Sequence, residues 1–224
     1  MNETISIAAA SIVTEADLPS ARLGKRFGRL DLQSQLALLA VASLKINFDA
    51  FALDRVGICL AASAGSLTTD VNFWQGRNGV GGPSPTLFAY TLPSAAVGEV
   101  AIYFRLTGPN LCFVGDDKNL LPEAADFIRR GETDGCVCIF CEVVTADCGK
   151  LISKPPVATA CALFLQRANL SGTPVSDPAS SESNFQRAGS ETGVPIPRGL
   201  REWREIDRDM KPLCALISQM NSAV

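Results

Sequence analysis

Apolar runs separated by polar turns fill the first 168 residues and predict alternating strands and helices. The strands are predicted at 4–13, 55–63, 110–114, 134–144 and 157–168, each a mainly apolar run of strand length. Helices are predicted between them, at 31–46, 94–106 and 120–131. Residues 64–70 are predicted to form a loop. This order predicts an α/β fold in which helices cover a mixed, mostly buried sheet.

Local signals support the ends of two of these helices. Asp31 precedes the first helix and is predicted to be its N-cap. Pro122 falls in the first turn of the helix at 120–131, where a proline is tolerated, and Gly131 is predicted to end it. The alternating strands and helices stop near residue 170, so the first domain is predicted to span residues 1–170.

The pattern changes after residue 170. Residues 171–197 are rich in Ser, Pro and Gly and are predicted to form a flexible linker. Residues 198–224 are predicted to form an amphipathic C-terminal helix that is kinked or split at Pro212. Apolar residues recur in it at helical spacing: Leu200, Trp203, Ile206, Met210, Leu213, Ile217 and Met220. Two roles remain open, a helix that folds back on its own domain and a tethered helix that binds a partner.

Charge disfavours several classes of partner. The formal net charge is −3 and no basic stripe is present, so nucleic acid is not an expected partner. The N-terminal apolar run is too short to span a bilayer, and it carries Glu3 but no Lys or Arg before Arg22. That is the wrong charge for a signal peptide, so a cytoplasmic protein without a membrane span is predicted.

The cysteines and the absent histidines bear on metal binding and catalysis. In the predicted strand "CVCIFC", Cys136 and Cys138 share one face and Cys141 points to the other, so the three thiolates cannot converge on one ion. No metal and no cofactor is expected, and the eight cysteines are predicted to be reduced thiols. The chain contains no His, so any step that needs imidazole requires another protein.

An ordered set of motifs resembles the β-ketoacyl synthase family. Residues 82–113, "GPSPTLFAYTLPSAAVGEVAIYFRLTGPNLCF", are similar to its Ser-Pro-x-x-F segment, its helix with Ala-Gly, and its Gly-Leu-x-Gly-Pro turn. The matching segments here are Ser84-Pro85-Thr86-Leu87-Phe88, Val97-Gly98 and Arg105-Leu106-Thr107-Gly108-Pro109. Residues 124–142 and 155–168 resemble the helix, acidic turn and two strands that follow. The resemblance spans residues 4–168 and implies one half of a thiolase-like fold.

Departures from the family pattern bear on activity. Family enzymes place a nucleophilic Cys at the N-terminus of the helix after the Gly-Pro turn, where the helix dipole favours thiolate. The family spacing from Gly108 leads to Asp117, and matching backward from Gly131 makes the loop at 115–119 too short for a nucleophile turn. The family's two decarboxylating histidines belong to its second half, and Ser94 replaces its usual Asn. The resemblance therefore implies a catalytically silent chain.

The resemblance also implies partners and an interface. Family subunits pair through the strand that precedes the nucleophile, here Asn110, Leu111, Cys112, Phe113 and Val114, and lend residues to each other's acyl pockets. Leu87 matches the aromatic that crosses into the partner's pocket, with Phe88 beside it. In type II polyketide systems a subunit without the Cys acts as a chain length factor, and half-sized chains of this kind accompany aryl polyene pathways. The expected partners are an active β-ketoacyl synthase, in a heterodimer, and acyl carrier protein through that complex, in polyene, polyketide or fatty acid synthesis.

Two alternatives remain. The first is a stand-alone enzyme on acyl thioesters, using Cys112 or the Asp116/Asp117 pair. Cys112 lies within a strand without a basic neighbour, and adjacent carboxylates in a polar loop are usually a solvated turn. The second is a scaffold that binds carrier protein and touches no substrate.

Overall fold

The computed structural model describes residues 5–115 and 118–168. The strands are β1 (Ile5–Thr14), β2 (Val56–Ala62), β3 (Asn110–Val114), β4 (Gly135–Val144) and β5 (Val157–Arg167). The helices are α1 (Leu32–Ser43), α2 (Leu67–Gly76), α3 (Pro85–Ala89), α4 (Ala95–Phe104), α5 (Leu120–Arg129) and α6 (Ala146–Ile152). The strands and helices predicted in residues 1–168 are all present, within a few residues of their predicted ends. None of the helices in these ranges is long and apolar enough to cross a bilayer.

The strands form one mixed sheet in the order β1-β5-β4-β2-β3. β2 pairs in parallel with both β3 and β4, whereas β5 runs antiparallel to β4 and β1. The carboxyl ends of the parallel strands β2, β3 and β4 therefore lie together at one end of the sheet. The outer strands of the sheet are β1 and β3. Arg55 binds Asp134 through two short hydrogen bonds, of 2.7 and 2.9 Å, which join the starts of β2 and β4.

Helices cover both faces of the sheet, as the sequence predicted. α1 and α4 bury one face, with Leu36 and Val100 fully inaccessible to solvent. α5 covers the other face, with Leu120 and Ile128 equally inaccessible. Because β2 and β4 lie between the two layers, almost all of their side chains are buried, which explains their continuous apolar runs.

The helix ends form for the reasons that the sequence indicated. The Asp31 carboxylate accepts a hydrogen bond of 3.0 Å from the Ser34 N–H and caps α1, as predicted. Pro122 lies in the first turn of α5, and Gly131 follows the helix with φ +73°, a conformation that glycine adopts without strain.

The cysteines of β4 point to the two faces that their alternation predicted. Cys136 and Cys138 pack under α5, and Cys141 packs on the side of α1 and α4. Burial raises the pKa of Cys161, on the α5 side, to about 12. These thiols stay protonated at neutral pH and act as small apolar side chains.

One prediction is wrong, and two others fall outside the described residues. Residues 64–70 were predicted to be a loop, but α2 begins at Leu67. The polar sequence hid this start, because the Thr68 hydroxyl is buried and donates to the Val143 carbonyl oxygen at 3.0 Å. Helices α3 and α6 were not predicted either. The predicted linker at 171–197 and C-terminal helix at 198–224 lie outside the described residues.

Candidate functional site

In a sheet of this kind, ligands usually bind at the carboxyl ends of the parallel strands, here β2, β3 and β4. β3 ends at Val114 and is followed by Gly115, whose φ of +91° turns the chain sharply; α5 begins at Leu120. Asp117, the residue at the expected nucleophile position, and its neighbour Asp116 lie outside the described residues.

Cys112 lies in the middle of β3, half-buried, and faces the layer of α1 and α4. Burial raises the pKa of its thiol. A nucleophilic cysteine needs the opposite shift, from a cation or a helix N-terminus. Its environment therefore favours the inert thiol.

Leu87 and Phe88 lie together on the short helix α3. This helix begins with Ser84, whose hydroxyl accepts from the Leu87 N–H at 3.2 Å, followed by Pro85 at its first position. Leu87 is half-buried, whereas the Phe88 side chain is 61% exposed. The Phe88 ring lies 5.4 Å from the ring of Phe73 on α2. Phe88 is thus held on one side and open on the other.

An open apolar groove runs between α2, α3 and α6, beside the carboxyl ends of the parallel strands. Its volume is about 570 Å³. Its lining is mainly apolar, with one carboxylate: Asp70, Val71, Phe73, Trp74, Gln75, Phe88, Thr91 and Leu151. The sequence did not predict this groove, because its walls come from three separate helices, of which α3 and α6 were not predicted.

Asp70 is the charged group of this groove. Burial raises the pKa of its carboxyl, and the hydrogen bond from Ser66 opposes that rise. The Ser66 hydroxyl lies 3.1 Å from a carboxylate oxygen of Asp70 and 2.7 Å from the Thr91 carbonyl oxygen. The hydrogen bond from Ser66 to Thr91 joins the start of α2 to the segment after α3. It therefore helps to hold two walls of the groove in place.

Glu142 fixes the ends of β2 and β4 to each other. Its carboxylate accepts hydrogen bonds from the Ser63 and Ala64 N–H groups, both at 2.9 Å, and from the Ser63 hydroxyl at 2.5 Å. The Lys154 ammonium binds the same hydroxyl. Both oxygens of the carboxylate accept hydrogen bonds from backbone N–H groups. We therefore assign Glu142 a structural role at the carboxyl ends of β2 and β4.

The five predicted interface residues form β3, and β3 lies at the edge of the sheet. In the described part of the chain it pairs with β2 alone, so one row of its backbone groups faces outward. Leu111 and Phe113 point to the α5 side and are half-buried, whereas Val114 is 57% exposed. The run contains neither a charged residue nor a proline that would protect an outer strand from pairing.

α4 packs beside β3 and adds apolar surface to it. Ile102 is 62% and Tyr103 45% exposed on this helix. Leu92, before α4, is 63% exposed, and Val114 and Pro93 both lie close to Gly65, three residues after the end of β2. We call the free edge of β3 together with Ile102 and Val114 the β3 surface.

Solved structures of ketosynthases and chain length factors have a similar fold. A chain of the complex between the ketosynthase ApeO and its chain length factor ApeC from Xenorhabdus doucetiae matches with a TM-score of 0.56 and 20% identity, over 74% of this chain and 79% of that one. The ishigamide ketosynthase/chain length factor gives 0.59 and 16% identity, over 99% and 83%.

A third match comes from a complex that includes a carrier protein. The structure of AntDE with AntF, a type II polyketide synthase acyl-carrier protein in complex with its ketosynthase, gives a TM-score of 0.60 and 14% identity, over 99% of this chain and 82% of that one. The sequence matches no protein-family model and no curated protein. The fold is therefore the thiolase-like fold of ketosynthases and chain length factors, as the sequence resemblance predicted.

Proposed function

We propose that the chain is a non-catalytic subunit that pairs with an active β-ketoacyl synthase and shapes its acyl pocket, as a chain length factor does. One observation carries the proposal: among the described residues β3 pairs only with β2, so its apolar outer edge is unpaired, with Val114 exposed at its end and Ile102 exposed on the neighbouring helix α4. Such an edge promotes aggregation unless another strand pairs with it. A partner of the same fold presents an equivalent strand, and antiparallel pairing would join the two sheets across a pseudo-two-fold axis.

Co-expression with a full-length active β-ketoacyl synthase tests this pairing. We expect a tight one-to-one complex that persists through size-exclusion chromatography, and poor solubility of the chain on its own. A soluble monomer that does not bind the synthase would contradict the proposal. The similarity to ketosynthases in complex with carrier protein supports acyl carrier protein as a further partner, reached through the synthase.

Catalytic silence is a second prediction. Purified alone, the chain should neither accept an acyl group from acyl carrier protein nor decarboxylate malonyl carrier protein. The reasons are Asp117 at the expected nucleophile position, the absence of His, and a Cys112 thiol whose pKa burial raises. Intact-protein mass spectrometry measures the acyl adduct, with the active synthase as the positive control.

An acyl adduct on Cys112 would overturn catalytic silence. It would favour the alternative of a stand-alone acyl-thioester enzyme, and Cys112→Ser should then abolish the adduct. A chain that binds carrier protein but leaves the products of the synthase unchanged would favour the scaffold alternative.

Product length is a third prediction, and it concerns α3. If Leu87 and Phe88 close the end of the partner's acyl pocket, Phe88→Ala and Leu87→Ala should lengthen the products of the reconstituted complex, because the pocket gains volume. Leu87→Trp should shorten them. Phe88 should have the larger effect of the two alanine variants, because it is 61% exposed and free to contact a partner. Mass spectrometry of the released products gives the chain-length distribution.

Leu92→Ala is the matched control for this series, since Leu92 is 63% exposed and lies just beyond the same helix. Its products should keep the wild-type length. If the variants of Leu87 and Phe88 also leave the distribution unchanged, α3 has no role in setting chain length.

A further inference from the structure

One strip of the sheet face beneath α5 remains partly uncovered. Ile7, Ala10 and Ile12 of β1 point to this face and are half-buried. Their direct neighbours on β5 are Leu165, Leu163 and Cys161, and these are buried to 3% exposure or less. On this face the side chains are therefore fully buried on β5 but only half-buried on the adjacent strand β1. We call Ile7, Ala10 and Ile12 the β1 strip.

The packing of the helices explains why the strip is exposed. α5 lies over β4, β2 and the near side of β5. α1 packs on the opposite face of β1, where the Ser11 hydroxyl donates to the Ala40 carbonyl oxygen at 2.6 Å. A strand face that met only water would carry polar side chains. The apolar residues of the strip indicate that another segment covers it.

The chain leaves the described domain at this strip. β5 ends at Arg167, opposite Ile5 at the start of β1. The Arg167 guanidinium donates to the Ile128 carbonyl oxygen of α5 at 2.7 Å. The exit therefore lies near the C-terminal end of α5, at the beginning of β1. Residues 169–224 follow from this point.

The sequence beyond the exit contains an apolar pattern of matching size. Leu200, Trp203, Ile206 and Met210 repeat at steps of three and four residues before Pro212. As a helix, residues 198–211 would be about 21 Å long. The strip from Ile7 to Ile12 extends over roughly 17 Å of strand. A single short helix could thus cover its whole length.

The intervening chain permits this contact. Residues 169–197 would have a root-mean-square span of about 30 Å if they behave as the sequence predicts, comparable with the length of β1. A tether of matching span gives the attached segment a high effective concentration at the strip. No such tether favours a segment of another chain.

We propose that residues 198–211 bind the β1 strip of the same chain, with Leu200, Trp203, Ile206 and Met210 packed beside α5 and over β1. The charged residues between them, such as Arg201 and Glu205, then face solvent. The segment closes the hydrophobic layer beneath α5 from within the chain. The β3 surface, at the opposite edge of the sheet, stays free for a partner, so the two surfaces can be tested independently.

Site-specific photo-crosslinking in the full chain tests this contact. The photoreactive amino acid p-benzoylphenylalanine replaces Ile12 in one sample and Leu151 in another, and mass spectrometry maps the products. Leu151 is the matched control because it is 69% exposed in the apolar groove at the other end of the sheet. We expect position 12 to crosslink to residues 198–211 and position 151 not to do so. A mixture of isotopically labelled and unlabelled chains shows whether a crosslink joins one chain or two.

Tryptophan fluorescence gives an independent measurement. Trp74 and Trp203 are the two tryptophans of the chain, so Trp74→Phe leaves Trp203 as the only reporter. In that background Ile12→Thr should shift the emission of Trp203 to the red and remove its protection from acrylamide. Val80→Thr, in an exposed loop, should change neither. Circular dichroism confirms that each variant is folded.

Three results would overturn the proposal: crosslinks from position 12 that do not reach residues 198–211, crosslinks that join only different chains, or crosslinks from position 151 to that segment. The last would place the segment in the groove. None of these results would bear on pairing with a synthase, which is measured separately through β3.

Discussion

Phe113→Asp is expected to abolish the complex with an active β-ketoacyl synthase. Phe113 lies in β3, which pairs only with β2 in the described part of the chain, and it is half-buried on the α5 side of the sheet. A partner strand would cover it further, and the aspartate would then be a buried charge without a counter-ion. Such a charge costs about 2–5 kcal/mol, equivalent to roughly 30- to 5,000-fold in the dissociation constant. Calorimetric titration or co-purification with the synthase measures the loss.

A second variant separates the interface from the stability of the domain. Ile102→Asp changes a side chain that is 62% exposed on α4, so the fold of the isolated chain should be unaffected while binding weakens. Val80→Asp places the same charge in an exposed loop and should leave affinity at the wild-type value. If the chain binds the synthase normally with either Phe113→Asp or Ile102→Asp, the interface lies elsewhere.

The strands and the long helices could be predicted because the order of apolar and polar residues in each of them reflects which of its side chains are buried. β4 lies between two layers, so its side chains are buried and apolar apart from Glu142 near its end, whose carboxylate binds backbone N–H groups. α2 could not be predicted in this way, since its buried Thr68 and Thr69 are polar in sequence. Their hydroxyls are satisfied by Val143 and Asp31, which are far away along the chain. Only the tertiary structure reveals those partners.

The candidate site was predictable to a similar extent. The edge strand, its apolar run and the residues of α3 follow from the motif resemblance, because each is a continuous stretch of sequence. The groove beside α3 could not be predicted, since Trp74, Phe88 and Leu151 come from three helices and meet only after folding. The role of Glu142 depends in the same way on Ser63, which is distant in sequence but lies at the end of the neighbouring strand.

Gly108→Ala is expected to destabilise the domain strongly, because Gly108 forms the turn that places β3. A Cβ atom at this position would lie 2.4 Å from the Val56 carbonyl oxygen and 3.0 Å from that of Asp54. Both are backbone atoms, so the turn or the start of β2 must move. The turn is also tied to β2 by the hydrogen bond from the Ile58 N–H to the Pro109 carbonyl oxygen, at 2.9 Å. We expect a loss of about 3 kcal/mol in the free energy of unfolding.

The matched control is Gly98→Ala, ten residues earlier. Gly98 lies inside α4, where an added Cβ meets no atom within 4 Å. Alanine should therefore stabilise the chain, by about 0.5–1 kcal/mol, because it favours the helix over the unfolded state. Thermal unfolding measures both variants, and Gly108→Ala should lower the melting temperature by roughly 6–12 °C. Because the turn at Gly108 also positions the strand that we propose as the interface, its variant should lose affinity for the synthase even at temperatures where it stays folded. Equal stability and equal affinity for Gly108→Ala and the wild-type chain would show that the turn does not hold β3 in place.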